Sequence, residues 1–316
     1  MEPFHRRLTR REFFVASSVL LIGTACSKHS ANLAAPGTID ALIHGASKVS
    51  LLGTGSDAPP MNPGRNRQGF VIVDQQGKVV VGGLPQVWLA QEVSSRALGP
   101  FVAAWHPFSA YNQTHDHSPR SPLPGNYSVE LDIPGPGNWT VAVTVKRGSQ
   151  PLAGKGVIAV TGSPVVAGLG TQAVSTPTPV ATTTAKLEEI CTRTPVDHMH
   201  SISLDQALRN GKPTVVCFST PLLCMSRLCG PVTDEQILVF EQYGRQANFI
   251  HVEEFLPGPD RKPPPATPAN QAPAFKRWKL DSEPWVFVID RSGVIQFRAL
   301  GPVTATEIAA ALQPLL

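Results

Sequence analysis

The sequence has 316 residues and a formal net charge of +4. Residues 1–25 contribute four arginines and two glutamates, which leaves the rest of the chain at +2, so we expect no nucleic-acid partner. The 31 prolines are concentrated in a few stretches, which indicates linkers between two cores rather than one large core.

Residues 1–26 have the features of an export signal. Residues 9–14, Thr-Arg-Arg-Glu-Phe-Phe, resemble the twin-arginine motif, and the apolar run 15–25 is too short to span a bilayer. The run ends at Gly23-Thr24-Ala25-Cys26, which is similar to a bacterial lipobox although Gly23 stands where leucine is usual. We therefore expect lipidation at Cys26 and an extracytoplasmic protein anchored to the outer face of the bacterial cell membrane. The alternative is cleavage nearby without lipidation, which would leave a periplasmic protein.

A tether and a β-sandwich are predicted next. Residues 27–66 are rich in Gly, Ser, Ala and Pro and show little periodicity, as in a flexible tether. Residues 67–162 contain short apolar runs separated by turn signals, which predicts an all-β sandwich. The predicted strands are 70–73, 79–81, 86–90, 101–105, 127–131, 139–145 and 157–160. Residues 125–129 and 132–140 resemble the end of immunoglobulin-like domains in periplasmic proteins of the YtkA and FixH type.

One loop of this sandwich carries His106, His115, Asp116 and His117. Imidazole and carboxylate groups are good ligands for copper or zinc. The alternative, which we favour, is a solvated loop whose histidines lie on the surface.

A Thr/Pro-rich linker is predicted over residues 163–190, because its small polar residues and prolines should bury nothing. An α/β pattern follows over residues 191–316. A short helix at Ser203, where Gln206 completes a capping-box pattern, precedes a strand, a helix, a strand, a short helix, a hairpin and a terminal helix.

The apolar strand 213–218 leads to Cys224 and Cys229. A cysteine at the start of a helix meets free N–H groups and the positive end of the helix dipole, and Arg227 adds a nearby cation. These features favour a thiolate, so the pattern predicts redox chemistry.

Residues from about 200 to 316 resemble a thioredoxin-like domain. The resemblance depends on the spacing from Phe218 to Cys224, on Glu283-Pro284 before the third strand and on Gly301 after the fourth. It implies that Pro284 follows a cis peptide bond, faces the active cysteine and helps to dock the substrate backbone. The alternative is an ordinary proline at the start of a strand.

The cysteine spacing departs from the C-x2-C pattern of that family, because four residues separate Cys224 from Cys229. Residues five apart on a regular helix lie about 7.5 Å apart along the axis, so Cys224 must precede the helix or the first turn must be distorted. In the register we prefer, Cys224 corresponds to the first family cysteine and Pro231 lies about two turns into the helix. The alternative register places Cys229-Gly230-Pro231 at the start of the helix.

Two further cysteines have weaker predictions. Cys217 stands where thioredoxins keep a buried aspartate, and we interpret it as a small buried residue. Cys191 is either an auxiliary thiol that pairs with Cys224 or Cys229, or part of a solvated linker end.

The leading hypothesis is a thiol-disulfide oxidoreductase that needs no cofactor: Cys224 attacks a disulfide and Cys229 resolves the mixed disulfide. Its partners would be exported thiol or disulfide proteins. The alternative is a copper chaperone or carrier that holds Cu(I) with Cys224, Cys229, His198 and His200, in which Cys191 and Met199 also lie near the metal. A third hypothesis is an interaction platform without thiol chemistry.

Overall fold

In the computed structural model, the described residues are 37–54, 61–109, 124–163, 166–224, 228–258, 261–262 and 264–316. The predicted export signal with Cys26 lies outside them. So do Arg227 and the triplet His115, Asp116 and His117. Among the residues described, no helix combines the length and the apolar character needed to cross a bilayer.

The N-terminal region consists of two antiparallel-rich sheets. Its elements are α1 (Ile39–Ile43), β1 (Ser47–Lys48), β2 (Ser50–Leu52), β3 (Gly64–Val73), β4 (Gln86–Ala90), β5 (Leu98–Val102), β6 (Ala104–Pro107), β7 (Gly125–Ile133), β8 (Gly137–Arg147) and β9 (Gln150–Val160). One sheet has the order β1-β9-β8-β4-β5 and the other has the order β2-β3-β7-β6.

The two sheets share one hydrophobic core. On β8 the inward side chains Val141, Val143 and Val145 alternate with outward ones, as strand geometry requires. They pack with Phe70 and Tyr127 from the opposite sheet. The arrangement is a β-sandwich, as predicted, and its closer assignment to immunoglobulin-like domains stays a prediction.

The prediction of a tether through residue 66 is wrong for the described residues 37–54 and 61–66. Ile39, Val49 and Met61 are at most 4% exposed, and β1 and β2 pair with β9 and β3. These strands are too short to show a hydrophobic period in the sequence. The predicted strand 79–81 is also wrong, since Val79 forms only an isolated bridge with Val73.

The C-terminal region is a three-layer α/β arrangement. Its elements are α2 (Thr184–Leu187), α3 (Leu204–Ala207), β10 (Thr214–Phe218), α4 (Cys229–Tyr243), β11 (Asn248–Val252), a 3-10 turn (Pro268–Asn270), α5 (Pro273–Arg277), β12 (Trp285–Ile289), β13 (Ile295–Leu300), α6 (Ala305–Leu312) and a final 3-10 turn (Gln313–Leu315). The sheet order is β11-β10-β12-β13, with β10 and β11 parallel and the other pairs antiparallel. The predicted order of elements is confirmed.

Alternation along β10 distributes its side chains to two cores. Val215 and Cys217 pack in the core that includes residues of α4 and α6, whereas Val216 and Phe218 pack in the core that includes residues of α3 and α5. Because both faces of the strand are covered, all five of its residues are buried. The end of this strand is therefore a fixed platform for the loop that follows.

The prediction that residues 163–190 bury nothing is wrong. Val166 joins the core of the α/β region, and Thr178 is 7% exposed. The Thr178 N–H donates to Ser203 Oγ at 2.9 Å, and the Leu204 N–H donates to Thr178 Oγ1 at 3.0 Å. The linker threonine thus caps α3, in place of the capping box predicted for Ser203 and Gln206. A capping box does occur on α6, between Thr304 and Glu307.

The sandwich contacts the α/β region through a buried ion pair. Arg67 of β3 donates to Glu307 Oε1 at 2.6 and 2.9 Å and to the Pro302 carbonyl at 3.0 Å. His106 lies beside this pair, with Nε2 3.0 Å from Ser128 Oγ and 3.9 Å from Glu307 Oε1. The interpretation of His106 as a residue of a solvated loop is therefore wrong, because β6 brings it to this contact.

Candidate functional site

The loop after β10 brings Cys224 to the N-terminal end of α4. Ser219 N–H donates to the Val252 carbonyl of β11, which holds the start of the loop against the sheet. The Thr220 carbonyl then accepts the N–H groups of Leu223 and Cys224, each at 3.0 Å. Cys224 therefore lies in a tight turn before the helix.

Helix α4 begins at Cys229, so the expectation that Pro231 lies about two turns into the helix is wrong. Pro231 is the third residue of the helix instead of lying two turns into it. Proline is tolerated there because the first N–H groups of a helix have no acceptor within the helix. The alternative register, with Cys229-Gly230-Pro231 at the helix start, describes the backbone correctly.

Cys224 and Cys229 form a disulfide with their Cα atoms 5.9 Å apart. This distance is within the range of ordinary disulfides. Cys224 is half-buried, whereas Cys229 is fully buried. The Cys229 N–H, at the first position of α4, donates to Cys224 Sγ at 3.3 Å. The N-terminal end of α4 therefore donates a hydrogen bond to the sulfur of Cys224, although Cys224 lies outside the helix.

A carboxyl group lies beside the disulfide. One oxygen of Glu283 and the two sulfurs are all within 4.8 Å of one another. The residue is half-buried, but its Oε2 atom is enclosed and accepts no hydrogen bond. Burial raises the pKa of Glu283 to about 8, and the charges of Glu254 and Glu253 add to the increase.

Pro284 follows Glu283 through a cis peptide bond and is buried. Its carbonyl accepts the N–H of Gly301 at 2.9 Å, and Gly301 has a positive φ of 76°. Pro284 and Gly301, the two residues that the sequence singles out, therefore contact each other just before the N-terminal end of β12, next to Glu283.

Cys217 is fully buried and its Sγ lies 3.5 Å from Ser219 Oγ. Burial raises the pKa of its thiol to about 11. The prediction of a small buried residue is confirmed, and this thiol is poorly suited to form a thiolate.

A second sulfur-containing cluster lies on the other side of Ser219. Cys191 Sγ donates to Asp197 Oδ2 at 3.2 Å, and His251 Nδ1 is 2.8 Å from the same oxygen. His200 Nε2 lies 3.4 Å from Asp197 Oδ1. We name these four residues the Cys191 cluster: Cys191, Asp197, His200 and His251.

The Cys191 cluster contradicts two sequence-based expectations. Cys191 is a free thiol with no exposed surface, so it pairs with neither Cys224 nor Cys229. His200 belongs to the Cys191 cluster and His198 is exposed. Among the described residues, no group of close metal-binding side chains contains His198 or His200 together with Cys224 and Cys229.

The charges of the Cys191 cluster are strongly coupled. Burial alone would raise the pKa of Asp197. The positive charge of His251 outweighs burial and holds this pKa well below its usual range. Burial lowers the pKa of His251, and Asp197 reverses this effect and raises it well above its ordinary value. Burial raises the pKa of the nearby Glu253 to about 7. The positive charge of His251 and the hydrogen bonds from Thr192 lower this pKa and so limit the increase.

Sequence reasoning missed Glu283, Asp197 and His251 as site residues. The sequence singles out Glu283 only through its neighbour Pro284, although a carboxylate directly before an apolar strand is itself a signal. His251 is a lone polar residue in the apolar strand β11, and its partner Asp197 is 54 residues away in the chain. Only the parallel pairing of β10 with β11 brings His251 beside Ser219.

No known protein-family model matches the chain, and no curated protein matches it. Among solved structures, it is similar to a thiol:disulfide interchange protein of the thioredoxin family from Chlorobium tepidum TLS. The identity is 20%, the match covers 46% of this chain and 99% of that chain, and the TM-score is 0.28.

Proposed function

We propose that the chain is an extracytoplasmic thiol-disulfide oxidoreductase with a thioredoxin-like C-terminal region, anchored to the outer face of the bacterial membrane through Cys26. The observation that carries the proposal is a disulfide between a half-buried Cys224 and a buried Cys229 at the N-terminal end of α4. The difference in exposure supports a division of roles in which an incoming sulfur reaches Cys224. Cys229 is then the resolving cysteine.

The exchange reaction is balanced without a cofactor. A substrate thiolate attacks Cys224 Sγ, the bond between Cys224 and Cys229 breaks, and Cys229 leaves as a thiolate. A second substrate thiolate then attacks the substrate sulfur of the mixed disulfide, and Cys224 leaves. Two electrons pass from the substrate dithiol to the cysteine pair, and the reverse sequence reduces a substrate disulfide.

The N–H of Cys229 lowers the energy of the Cys224 thiolate. This group points to Cys224 Sγ at the positive end of a helix of 15 residues, where negative charge is favoured. The same contact makes Cys224 a better leaving group when the mixed disulfide is resolved.

Glu283 is proposed to move the proton of Cys229. Its carboxylate lies within 4.8 Å of both sulfurs, and a pKa raised to about 8 by burial lets it exchange a proton near neutral pH. As a carboxylate it accepts the proton of the buried Cys229 thiol before resolution. As a carboxylic acid it returns the proton to the Cys229 thiolate after the disulfide opens.

Substrate docking is proposed at the Glu283-Pro284 segment. The Pro284 carbonyl is engaged by Gly301, so an extended substrate would pair with the backbone on the Glu283 side. The proposed partners are exported proteins with thiols or disulfides, because exported disulfides persist in an oxidising compartment.

The proposal is tested by equilibrating the folded full chain with glutathione buffers of increasing reducing power. Trapped thiols are then counted by mass spectrometry, and a dithiol peptide is assayed for oxidation. We expect one two-electron transition confined to Cys224 and Cys229, with oxidation of the peptide faster than in buffer alone. A pair that stays oxidised until the chain unfolds would identify a structural disulfide and contradict the proposal.

Cu(I) binding remains the alternative proposal, and the observation in its favour is the closeness of the two cysteine sulfurs, since soft thiolates select Cu(I). Cu(I) added to the reduced chain distinguishes the two proposals. A one-to-one complex that requires Cys229, in a protein without peptide oxidation, would favour the carrier.

A further inference from the structure

The Cys191 cluster takes no part in the disulfide exchange proposed above. Its four side chains supply one thiol, one carboxylate and two imidazoles, and none is more than 3% exposed. One ligand atom from each lies within 4.8 Å of every other. Thiolate, imidazole and carboxylate groups in this combination match the preferences of zinc.

The distances within the cluster fit a tetrahedral ion. Zinc bonds of about 2.3 Å to sulfur and about 2.0 Å to nitrogen or oxygen place ligand atoms about 3.3–3.6 Å apart. The observed separations are 3.2 Å from Cys191 Sγ to Asp197 Oδ2, 3.9 Å from Cys191 Sγ to His251 Nδ1 and 2.8 Å from His251 Nδ1 to Asp197 Oδ2. These values bracket the tetrahedral ones, so shifts of a few tenths of an ångström would bring the atoms to bonding positions.

The surrounding groups orient the ligands. His251 Nε2 lies 3.0 Å from the Ser219 carbonyl and 2.9 Å from Ser219 Oγ. Donation from Nε2–H to this carbonyl leaves Nδ1 as the metal-binding nitrogen. Asp197 Oδ1 accepts the Met199 N–H at 3.0 Å, which keeps Oδ2 directed at Cys191 and His251.

His200 provides an independent observation. Its Nε2 is enclosed and makes no hydrogen bond, although the residue is 2% exposed. A buried imidazole nitrogen that makes no well-formed hydrogen bond is poorly satisfied. Its position within the Cys191 cluster, 3.4 Å from Asp197 Oδ1, indicates a ligand between them.

We propose that Cys191, Asp197, His200 and His251 bind one Zn²⁺ ion as a closed structural site. A thiolate and a carboxylate neutralise the two charges of the ion, and the two imidazoles complete four-coordination. The ion would fasten the segment 191–200 to β11, directly behind the loop that carries Cys224. Since all four ligands are buried, no position remains open for a substrate.

The test uses the full chain with its disulfide oxidised, so that Cys224 and Cys229 offer no thiolates. Zinc content is measured after dialysis against zinc and then against a weak chelator, and Co²⁺ is used as a spectroscopic probe. The variants are Cys191→Ser and His200→Ala, and the matched control is His198→Ala, an exposed histidine on the same segment. A Cys224→Ser, Cys229→Ser double variant serves as a second control.

We expect about one zinc per chain in the wild type and in both controls, and a loss of retained zinc in Cys191→Ser and His200→Ala. Cobalt should give tetrahedral ligand-field bands and a thiolate charge-transfer band that disappears in Cys191→Ser. If Cys191→Ser does not fold, the wild type alone tests the proposal. The cobalt bands should then be present, and the unfolding temperature should be higher with zinc than with chelator. Absence of retained zinc in the wild type, or equal retention by His200→Ala in a folded protein, would overturn the proposal.

Discussion

The disulfide site and the Cys191 cluster contain similar groups in very different surroundings. Both place cysteine sulfur within 4.8 Å of a carboxylate. Cys224 is half-buried at the end of a helix, whereas every residue of the Cys191 cluster is buried. The comparison shows that access, more than the identity of the side chains, separates a sulfur that can exchange from one that can only bind or stabilise.

The backbone explains this difference. Cys224 lies in a turn that the Thr220 carbonyl closes before α4, so it is held at a surface. Cys191 lies four residues after the end of α2, in a turn where its N–H donates to the Leu187 carbonyl at 2.8 Å. Its sulfur faces His251 of β11. The sheet therefore covers the second thiol from one side.

The largest expected effect is that of Cys224→Ser. Removing the exposed sulfur should reduce thiol-disulfide exchange to the uncatalysed background, because no buried thiol can replace it. The measurement is peptide oxidation or reduction by the purified chain. Cys217→Ala is the matched control and should keep the exchange rate, since Cys217 is a buried thiol outside the site. If Cys224→Ser kept its thiol-disulfide exchange, a buried thiol could replace Cys224, and the proposed difference in access between the two sites would be contradicted.

Asp197→Asn should have the next largest effect, on stability. In the zinc-free chain Asp197 is the anionic partner of His251 at 2.8 Å. Its loss would leave the buried imidazolium with only the more distant Glu253 carboxylate at 3.8 Å. We expect the free energy of unfolding in urea to fall by about 3–5 kcal/mol.

Glu189→Gln is the control for this change. It removes a carboxylate from the pair with Lys186, in which both side chains are at least 60% exposed, and should cost no more than about 0.5 kcal/mol. Equal stabilities of the two variants would show that the buried charges of the Cys191 cluster are not coupled as described.

A smaller, pH-dependent effect is expected for Glu283→Gln. The pKa of Glu283 is raised to about 8 from an ordinary value of 4.5, so the folded chain keeps a proton that the unfolded chain has lost. Wild-type stability should therefore fall as the pH rises from about 4.5 to about 8. The Gln variant lacks this loss and should be the more stable by about 1–2 kcal/mol above pH 8, with allowance for solvent at the half-buried side chain.

The measurement is urea unfolding across this pH range, with Glu130→Gln as the control for net charge, since Glu130 is an exposed carboxylate. A difference between Glu283→Gln and wild type that does not grow with pH would show that Glu283 is ionised at neutral pH.

Glu283→Gln should also slow resolution of the mixed disulfide near neutral pH.

The sequence was sufficient for the α/β order and for the cysteine pair, because fully apolar strands such as β10 and β12 have a clear local pattern. It was insufficient for the helix start, since Leu228 at the N-cap offers no capping side chain and both cysteines remained acceptable starts. It also missed the role of Glu283 and the assembly of Cys191 with His251. Burial and contacts across 60 residues arise only when the sheet forms.

The central claim is that Cys224 alone presents a reactive sulfur. It is tested most directly by incubating the full-length Cys229→Ser variant with a peptide disulfide and mapping the adducts by mass spectrometry without reduction. We expect one stable mixed disulfide, on Cys224, and unmodified Cys191 and Cys217 in the folded chain. Adducts on Cys191 or Cys217, or no adduct on Cys224, would contradict it.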